Sequence, residues 1–175
     1  LLPIAEVAIS LCSRNLAALS AMCAVTPVPT PASLDIAVDK WRFAEYLTGS
    51  GIPFPNSIHC ESPDDLERVR SSLRFPVLLK PTRGQGGQGI EYFAVFEDLY
   101  ARFREEEVDV SRYLVQEFVE GYDLGCSILS WNGEVLAYTV QRGRIAGSSR
   151  FGAPSGIEFL NDRQVYESAT AFPAR

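Results

Sequence analysis

The chain has 175 residues, with 16 Lys and Arg against 22 Asp and Glu, for a formal charge of −6. That acidity gives no electrostatic footprint for nucleic acid, and no apolar run is long enough to span a membrane. Hydrophobic residues make up 46% and charged residues 22%, which is the composition of a soluble chain forming one good-sized domain or two small ones. The four cysteines (Cys12, Cys23, Cys60, Cys126) form no C-x-x-C pair, and His59 is the one histidine. This argues against zinc and for reduced thiols in a cytoplasmic protein.

Along the chain, residues 4–22 carry Val7, Leu11, Leu16 and Leu19 at helical spacing, which predicts one or two short helices. Glu6 and Arg14 within this stretch, and the lack of a basic leader, argue against a signal peptide. Residues 26–31 (Thr-Pro-Val-Pro-Thr-Pro) read as an extended linker. Residues 1–33 are therefore expected to be the tail of a preceding domain plus a linker. Ser33 is expected to cap a short turn. A helix should open at Asp39-Lys40, with Trp41, Ala44 and Leu47 inward, and stop at Gly49 or Gly51. A short strand follows near residues 57–60. Ser62 is then expected to cap a helix with Pro63 in its first turn and Leu66, Val69 and Leu73 on its buried face.

Residues 75–93 form the most informative stretch. Val77, Leu78 and Leu79 read as a buried strand ending in Lys80. Gly84, Gly86, Gly87 and Gly89 then fall within six residues, and residues 90–95 read as a second strand. A loop without Cβ atoms can fold its amide N–H groups toward one point, where phosphate oxygens are natural partners. Lys80 would bring positive charge to the base of that loop, and Arg83 is the next cation along it. Gly84, Gly86 and Gly89 match G-x-G-x-x-G, but a dinucleotide fingerprint needs a helix straight after the loop, and here a strand follows. A Walker A loop needs Gly-Lys-Ser/Thr, and Gly89 precedes Ile90. A kinase loop precedes its lysine, and Lys80 comes first. What survives is strand, lysine, glycine flap, strand, with a plain mobile hairpin as the alternative.

Residues 96–107 read as a helix with Leu99 and Phe103 one turn apart, ending in the solvated run Glu105-Glu106-Glu107. Strands are expected near residues 113–120, 124–129 and 134–140, the last two joined by an Asn132-Gly133 hairpin turn. Residues 141–150 are basic and glycine-containing. Asn161-Asp162 opens a last helix shortly before Phe172-Pro173-Ala174-Arg175. The chain opens without Met and stops soon after that helix begins, so it is expected to be a piece of a longer protein.

Three motifs in order resemble the ATP-grasp superfamily, in particular its carboxylate–amine ligases and carbamoyl-phosphate-synthase-like members. They are Asp39-Lys40 leading to Gly51-Ile52-Pro53-Phe54-Pro55; Phe75-Pro76-Val77-Leu78-Leu79-Lys80-Pro81 with its glycine loop; and Val115-Gln116-Glu117-Phe118-Val119-Glu120-Gly121-Tyr122-Asp123. The resemblance implies an α+β ATP-grasp fold, with a first lobe over residues 34–113 and a truncated second lobe over 114–175. It implies that Lys40 and Lys80 hold the α- and β-phosphates and that the flap (Gly84, Gly86, Gly87, Gly89) covers them. Gln116, Glu117, Phe118 and Val119 would form the adenine strand, with backbone groups of Glu117 and Val119 on the base edge and Phe118 supporting the strand from behind. Asp123 would accept the ribose hydroxyls. Family members often carry Glu where this chain has Gln116, and Glu where it has Asp123.

The implied function is the ATP-binding part of an ATP-dependent ligase. It would join a small-molecule carboxylate to an amine or thiol through an acylphosphate. The alternatives are a carbamoyl-phosphate-synthase-like or biotin-carboxylase-like enzyme, or a nucleotide-binding module without catalysis. The magnesium ligands of the family, an acidic residue and a later Glu-x-Asn, have no match here; Glu158-Phe159-Leu160-Asn161 has the wrong spacing. They are expected beyond residue 175, so no phosphate release is expected from this chain. The resemblance names no catalytic residue in it and gives Arg142, Arg144 and Arg150 no role. It names neither the acid nor the amine, implies no nucleic acid or membrane partner, and leaves the oligomeric state open, a homodimer being one option.

Overall fold

Helices α1 (Glu6–Arg14) and α2 (Leu16–Ser20) open the chain, as the apolar spacing predicts. The computed structural model describes residues 1–62, 64–105 and 109–171. Helix α3 (Pro31–Ala37) begins inside the stretch expected to be linker. Thr30, not Ser33, caps it: the Thr30 hydroxyl oxygen accepts the Ser33 N–H at 3.2 Å. Pro31 then sits in the first turn, where its missing N–H costs the helix nothing. The boundary drawn at residue 33 therefore cuts a helix.

Asp39 caps α4 (Lys40–Gly49) by accepting the Trp41 and Arg42 N–H groups at 3.1 and 3.2 Å. Ala44 and Leu47 are buried as expected. Trp41 is half-buried and stacks on His59 in the next strand at 5.6 Å.

Next come β1 (Ser57–His59), α5 (Asp65–Ser72), β2 (Val77–Pro81), β3 (Glu91–Phe93), α6 (Phe96–Glu105), a 3₁₀ turn (Val110–Arg112) and β4 (Tyr113–Glu117). The loop ahead of α5 is not organised by the Ser62 hydroxyl. The Asp65 carboxylate accepts the Glu61 and Ser62 N–H groups at 3.0 and 3.1 Å. A carboxylate is a stronger acceptor for such orphan amides. Pro63, Glu106, Glu107 and the run 172–175 lie outside the described residues.

These strands form one antiparallel sheet in the order β1-β4-β2-β3. Strand alternation gives the sheet two different faces. Val77, Leu79 and Val115 point into a core with Leu66, Val69, Leu73, Leu99 and Phe103 from α5 and α6. Leu78, Lys80 and Gln116 face the other way, into a cavity. Strand β4, expected to open the second lobe, lies in the middle of this first sheet, so the first lobe runs through Glu117. A continuous apolar pair such as Leu114-Val115 carries no mark of which sheet it joins; the pairing decides that.

A second antiparallel sheet, in the order β5-β6-β7, contains β5 (Leu124–Trp131), β6 (Glu134–Ile145) and β7 (Gly156–Leu160). Asn132 and Gly133 take φ of 49° and 83°, as a two-residue hairpin turn requires. Strand β6 runs five residues past the expected end at Val140, taking in the basic stretch to Ile145. Strand β7 had no expectation; its partner lies across a ten-residue connection. Helix α7 (Arg163–Thr170) is capped by Asp162 and lays Tyr166 on Tyr138 with ring centres 4.1 Å apart. Among the described residues after Glu117, Val140 alone is buried.

Candidate nucleotide-binding site

A cavity of about 510 Å³ lies where the open face of the first sheet meets the beginning of the second. That volume suits a nucleotide-sized ligand. Leu78, Lys80 and Gln116 contribute from the first sheet, Glu117 to Asp123 run along it, and Arg150, Phe151 and Gly152 close it from the loop after β6. Of the residues singled out in the sequence, Lys80, Gln116, Glu117, Phe118, Val119 and Asp123 all border this one space.

Lys80 is held deliberately. Its Nζ donates to Gln116 Oε1 at 2.6 Å. Burial lowers its pKa from the ordinary 10.5, the nearby Lys40 ammonium pushes the same way, and the Asp123 carboxylate opposes both. Lys40 starts α4 beside the flap. Its backbone N–H donates to Thr82 O at 2.8 Å and its Nζ to Gly84 O at 2.9 Å. Burial lowers its pKa too, against the pull of Asp39 and Glu6. Two cations are thus close enough to feel each other at the base of the flap, an arrangement that favours a polyanion between them. Lys40 does not itself border the cavity. Arg83, the other cation of the flap, reaches back to the Asp39 carboxylate at 3.5 Å.

The four flap glycines also lie outside the cavity lining, which the flap reaches through Ile90. Two of them are shaped by close approach. Gly89 has φ of +71°, and a Cβ there would come within 2.9 Å of Pro81. Gly87 has φ of +72°, and its Cβ would sit 1.9 Å from the Phe151 carbonyl oxygen. The flap of the first lobe therefore rests directly on the loop of the second. Gly87→Ala should force the backbone around Phe151 aside. We expect hydrogen exchange at the Gly152 amide, which donates to the Ser149 carbonyl, to quicken while the melting temperature moves little. Unchanged exchange there would show that this contact is not held in solution.

The strand 115–119 behaves differently at each residue. Glu117 N–H donates to Asn56 O at 2.9 Å, and its carboxylate accepts Arg74 N–H at 2.8 Å and Asn56 Nδ2 at 3.2 Å. Phe118 N–H donates to Pro76 O at 3.0 Å. The Phe118 ring meets Tyr92 edge-on at 5.4 Å. Val119 is two-thirds exposed; among the described residues its N–H meets no backbone acceptor.

Arg150, given no role in the sequence, is part of the closure. Its guanidinium carbon lies 4.3 Å from the Tyr92 ring centre, 5.2 Å from that of Phe151 and 5.9 Å from that of Phe118. Such stacking joins β3 to the second lobe. Arg142 lies 3.8 Å over Tyr122. Arg144 pairs with Glu158 on the neighbouring strand at 3.1 Å. Nothing in Ser148-Ser149-Arg150-Phe151 marks a residue that will cross to another lobe.

Two antiparallel sheets with helices, meeting at a lysine-floored cleft under a glycine flap, define a two-lobed α+β protein. The ATP-grasp domain model matches residues 37–171, so the chain belongs to the ATP-grasp family. It is 41% identical over 64 residues to a D-alanine–D-alanine ligase of Methylococcus capsulatus, covering 37% of this chain and 21% of that protein. It is 33% identical over 98 residues to a carbamoyl-phosphate synthase of Methanobrevibacter smithii, covering 56% and 25%. In structure it is similar to an L-amino acid ligase from Bacillus licheniformis. That superposition has a TM-score of 0.69 and 17% identity, and covers 95% of this chain and 39% of the other. The chain thus spans well under half the length of each of these proteins.

Proposed function

We propose that this chain is the ATP-binding part of an ATP-dependent ligase that joins a carboxylate to an amine. The observation that carries this reading is the convergence of Lys80, the strand 116–119 and Asp123 on one cavity between two lobes. Lys80 and Lys40 would neutralise the α- and β-phosphates, and the flap would cover them. The backbone at Glu117 and Val119 would meet the adenine edge, where Val119 N–H has no backbone acceptor among the described residues. Asp123 would accept the ribose hydroxyls. In the reaction a carboxylate oxygen attacks the γ-phosphorus and ADP leaves. The amine then attacks the acyl carbon, phosphate leaves, and the amine proton passes to solvent or a base. The protein's share is positioning and charge neutralisation. Magnesium is the expected counterion of the phosphates. Among the described residues no group of three or more His, Cys, Asp or Glu is placed to hold a metal ion.

The similarity to carbamoyl-phosphate synthase supports a second reading, in which bicarbonate is the carboxylate. The four cysteines are free thiols, which fits a cytoplasmic location. Among the described residues no helix is long and apolar enough to cross a membrane. Calorimetric titration with ATP and magnesium tests the core of the proposal. Saturable binding at one site is expected, and none would overturn it. The longer protein should make ADP with some pairing of acid and amine, or with bicarbonate on the second reading.

The lowered Lys80 pKa sets a pH dependence. The unfolded chain holds its proton up to about 10.5 while the folded chain releases it earlier. Across that window the unfolded state binds more protons, so this group's contribution to stability rises with pH. A triphosphate favours the charged form and draws the pKa back up. ATP affinity should therefore fall as pH rises through the window, with net proton uptake on binding. Binding heats that do not vary with buffer ionisation enthalpy would contradict this.

A further inference from the structure

The connection between β6 and β7 is shaped by its own contacts before it reaches the first lobe. At its base the Ser155 N–H donates to Ile145 O at 3.0 Å and the Ser155 hydroxyl to Ala146 O at 2.9 Å. At its waist a Cβ on Gly147 would lie 2.0 Å from the Ala153 carbonyl oxygen, so glycine is what lets the two limbs approach. At its tip the Gly152 N–H donates to Ser149 O at 3.2 Å. Residues 146–155 thus form a compact, self-closed loop, and its tip carries Arg150 and Phe151.

Arg150 ties that tip to the first lobe. Among the described residues its guanidinium meets no carboxylate, and its partners are the rings of Tyr92, Phe118 and Phe151. The Tyr92 and Phe118 rings meet edge-on, so the cation rests on a shelf built from β3 and from the residue that follows β4. The register shows which end of the cavity this is. Tyr92 pairs with Leu78, and Lys80 lies two residues further toward the flap, roughly 7 Å along the strand. Phe118 lines the cavity between Glu117 and Val119, whose backbone is proposed above to meet the base edge. The charges that act on Lys80 come from Lys40 and Asp123. Arg150 therefore stands over the base end of the cavity, and Lys80 marks the phosphate end.

We propose that Arg150 is a positioning residue for the base. Stacked on Tyr92 and Phe118, it pins the 146–155 loop over the cavity as a roof facing Leu78, and it acts through that stack and not through its charge on the phosphates. Lysine is a poor replacement there, because an ammonium lacks the plane that lies against the rings. The inference rests on the nucleotide-binding reading and deepens it by giving the base a wall from the second lobe. Its mark is a loss of affinity that is the same whatever phosphate tail the nucleotide carries.

The test titrates adenosine, ADP and ATP onto the wild-type chain, Arg150→Ala, Arg150→Lys and Tyr92→Leu, with Lys80→Ala as the reference for a phosphate contact. Arg150→Ala should weaken all three ligands by about tenfold, the scale of a desolvated cation stacked on rings, and Arg150→Lys should recover little of it. Tyr92→Leu should act alike, and adding it to Arg150→Ala should cost little more, since both remove one contact. Lys80→Ala should instead lose more as the tail lengthens. In the free protein the Arg150 guanidinium protons should resonate upfield, shifted by the rings, and Tyr92→Leu should abolish that shift. A loss in Arg150→Ala that grows from adenosine to ATP, or ATP affinity restored by Arg150→Lys, would put the cation on the phosphates and overturn the inference. So would unchanged affinity for all three ligands, additive losses in the double variant, or unshifted guanidinium protons. A wild type that binds neither adenosine nor ATP overturns the functional reading instead, and the guanidinium shift still reports on the stack.

Discussion

Replacing Lys80 with alanine is expected to weaken ATP binding by about 1–3 kcal/mol, the scale of a charge-assisted contact. The lysine is half-buried, borders the cavity and is aimed by Gln116. Little of its energy is therefore lost in ordering the side chain when a ligand arrives. Calorimetry on the wild type and Lys80→Ala, at matched salt, gives the comparison. Loss should be larger for ATP than for adenosine, because the missing charge faces the phosphates. Equal affinity for ATP in both proteins would remove Lys80 from the site. The exposed Arg83, tied to Asp39 rather than to the cavity, should lose far less on the same substitution.

Leu79→Ala is expected to cost about 2–5 kcal/mol of folding stability, the range for a fully buried leucine. Leu79 is 0% exposed and packs in the cluster with Val69, Leu99 and Phe103. It is also the residue before Lys80 on β2, pointing to the opposite face. Urea denaturation should show a lower midpoint at an unchanged slope. Retained ATP affinity in the folded fraction would then show that the core face holds up the strand while the cavity face binds. A loss below about 1 kcal/mol would mean that the core collapses to fill the gap.

Much of this was legible in the chain itself. Val77-Leu78-Leu79 ending in Lys80 needs a buried strand, and four glycines before the next apolar run need a turn. Both are statements about neighbours, and the antiparallel pair β2 and β3 follows. Asn132-Gly133 likewise demands its hairpin. Helix ends were less legible. Thr30 and Ser33 are both good caps, and ahead of α5 the Asp65 carboxylate, inside the helix, takes the loop amides in place of a Ser62 cap; the choice depends on where the chain comes from and goes next. The order of the three motifs carried the family, whose domain model matches residues 37–171.

The local grammar was therefore readable from neighbouring residues: the strand pair around the flap, the hairpin, and the lysine at the base of the flap. Tertiary structure alone decided that β4 belongs to the first sheet, that Gln116 turns its amide oxygen to Lys80, that Gly87 lies against Phe151, and that Arg150 crosses to Tyr92. The physical reason is the distance along the chain. Lys80 and Gln116 are 36 residues apart, and no local propensity records a contact that exists only once sheet register and lobe packing are set.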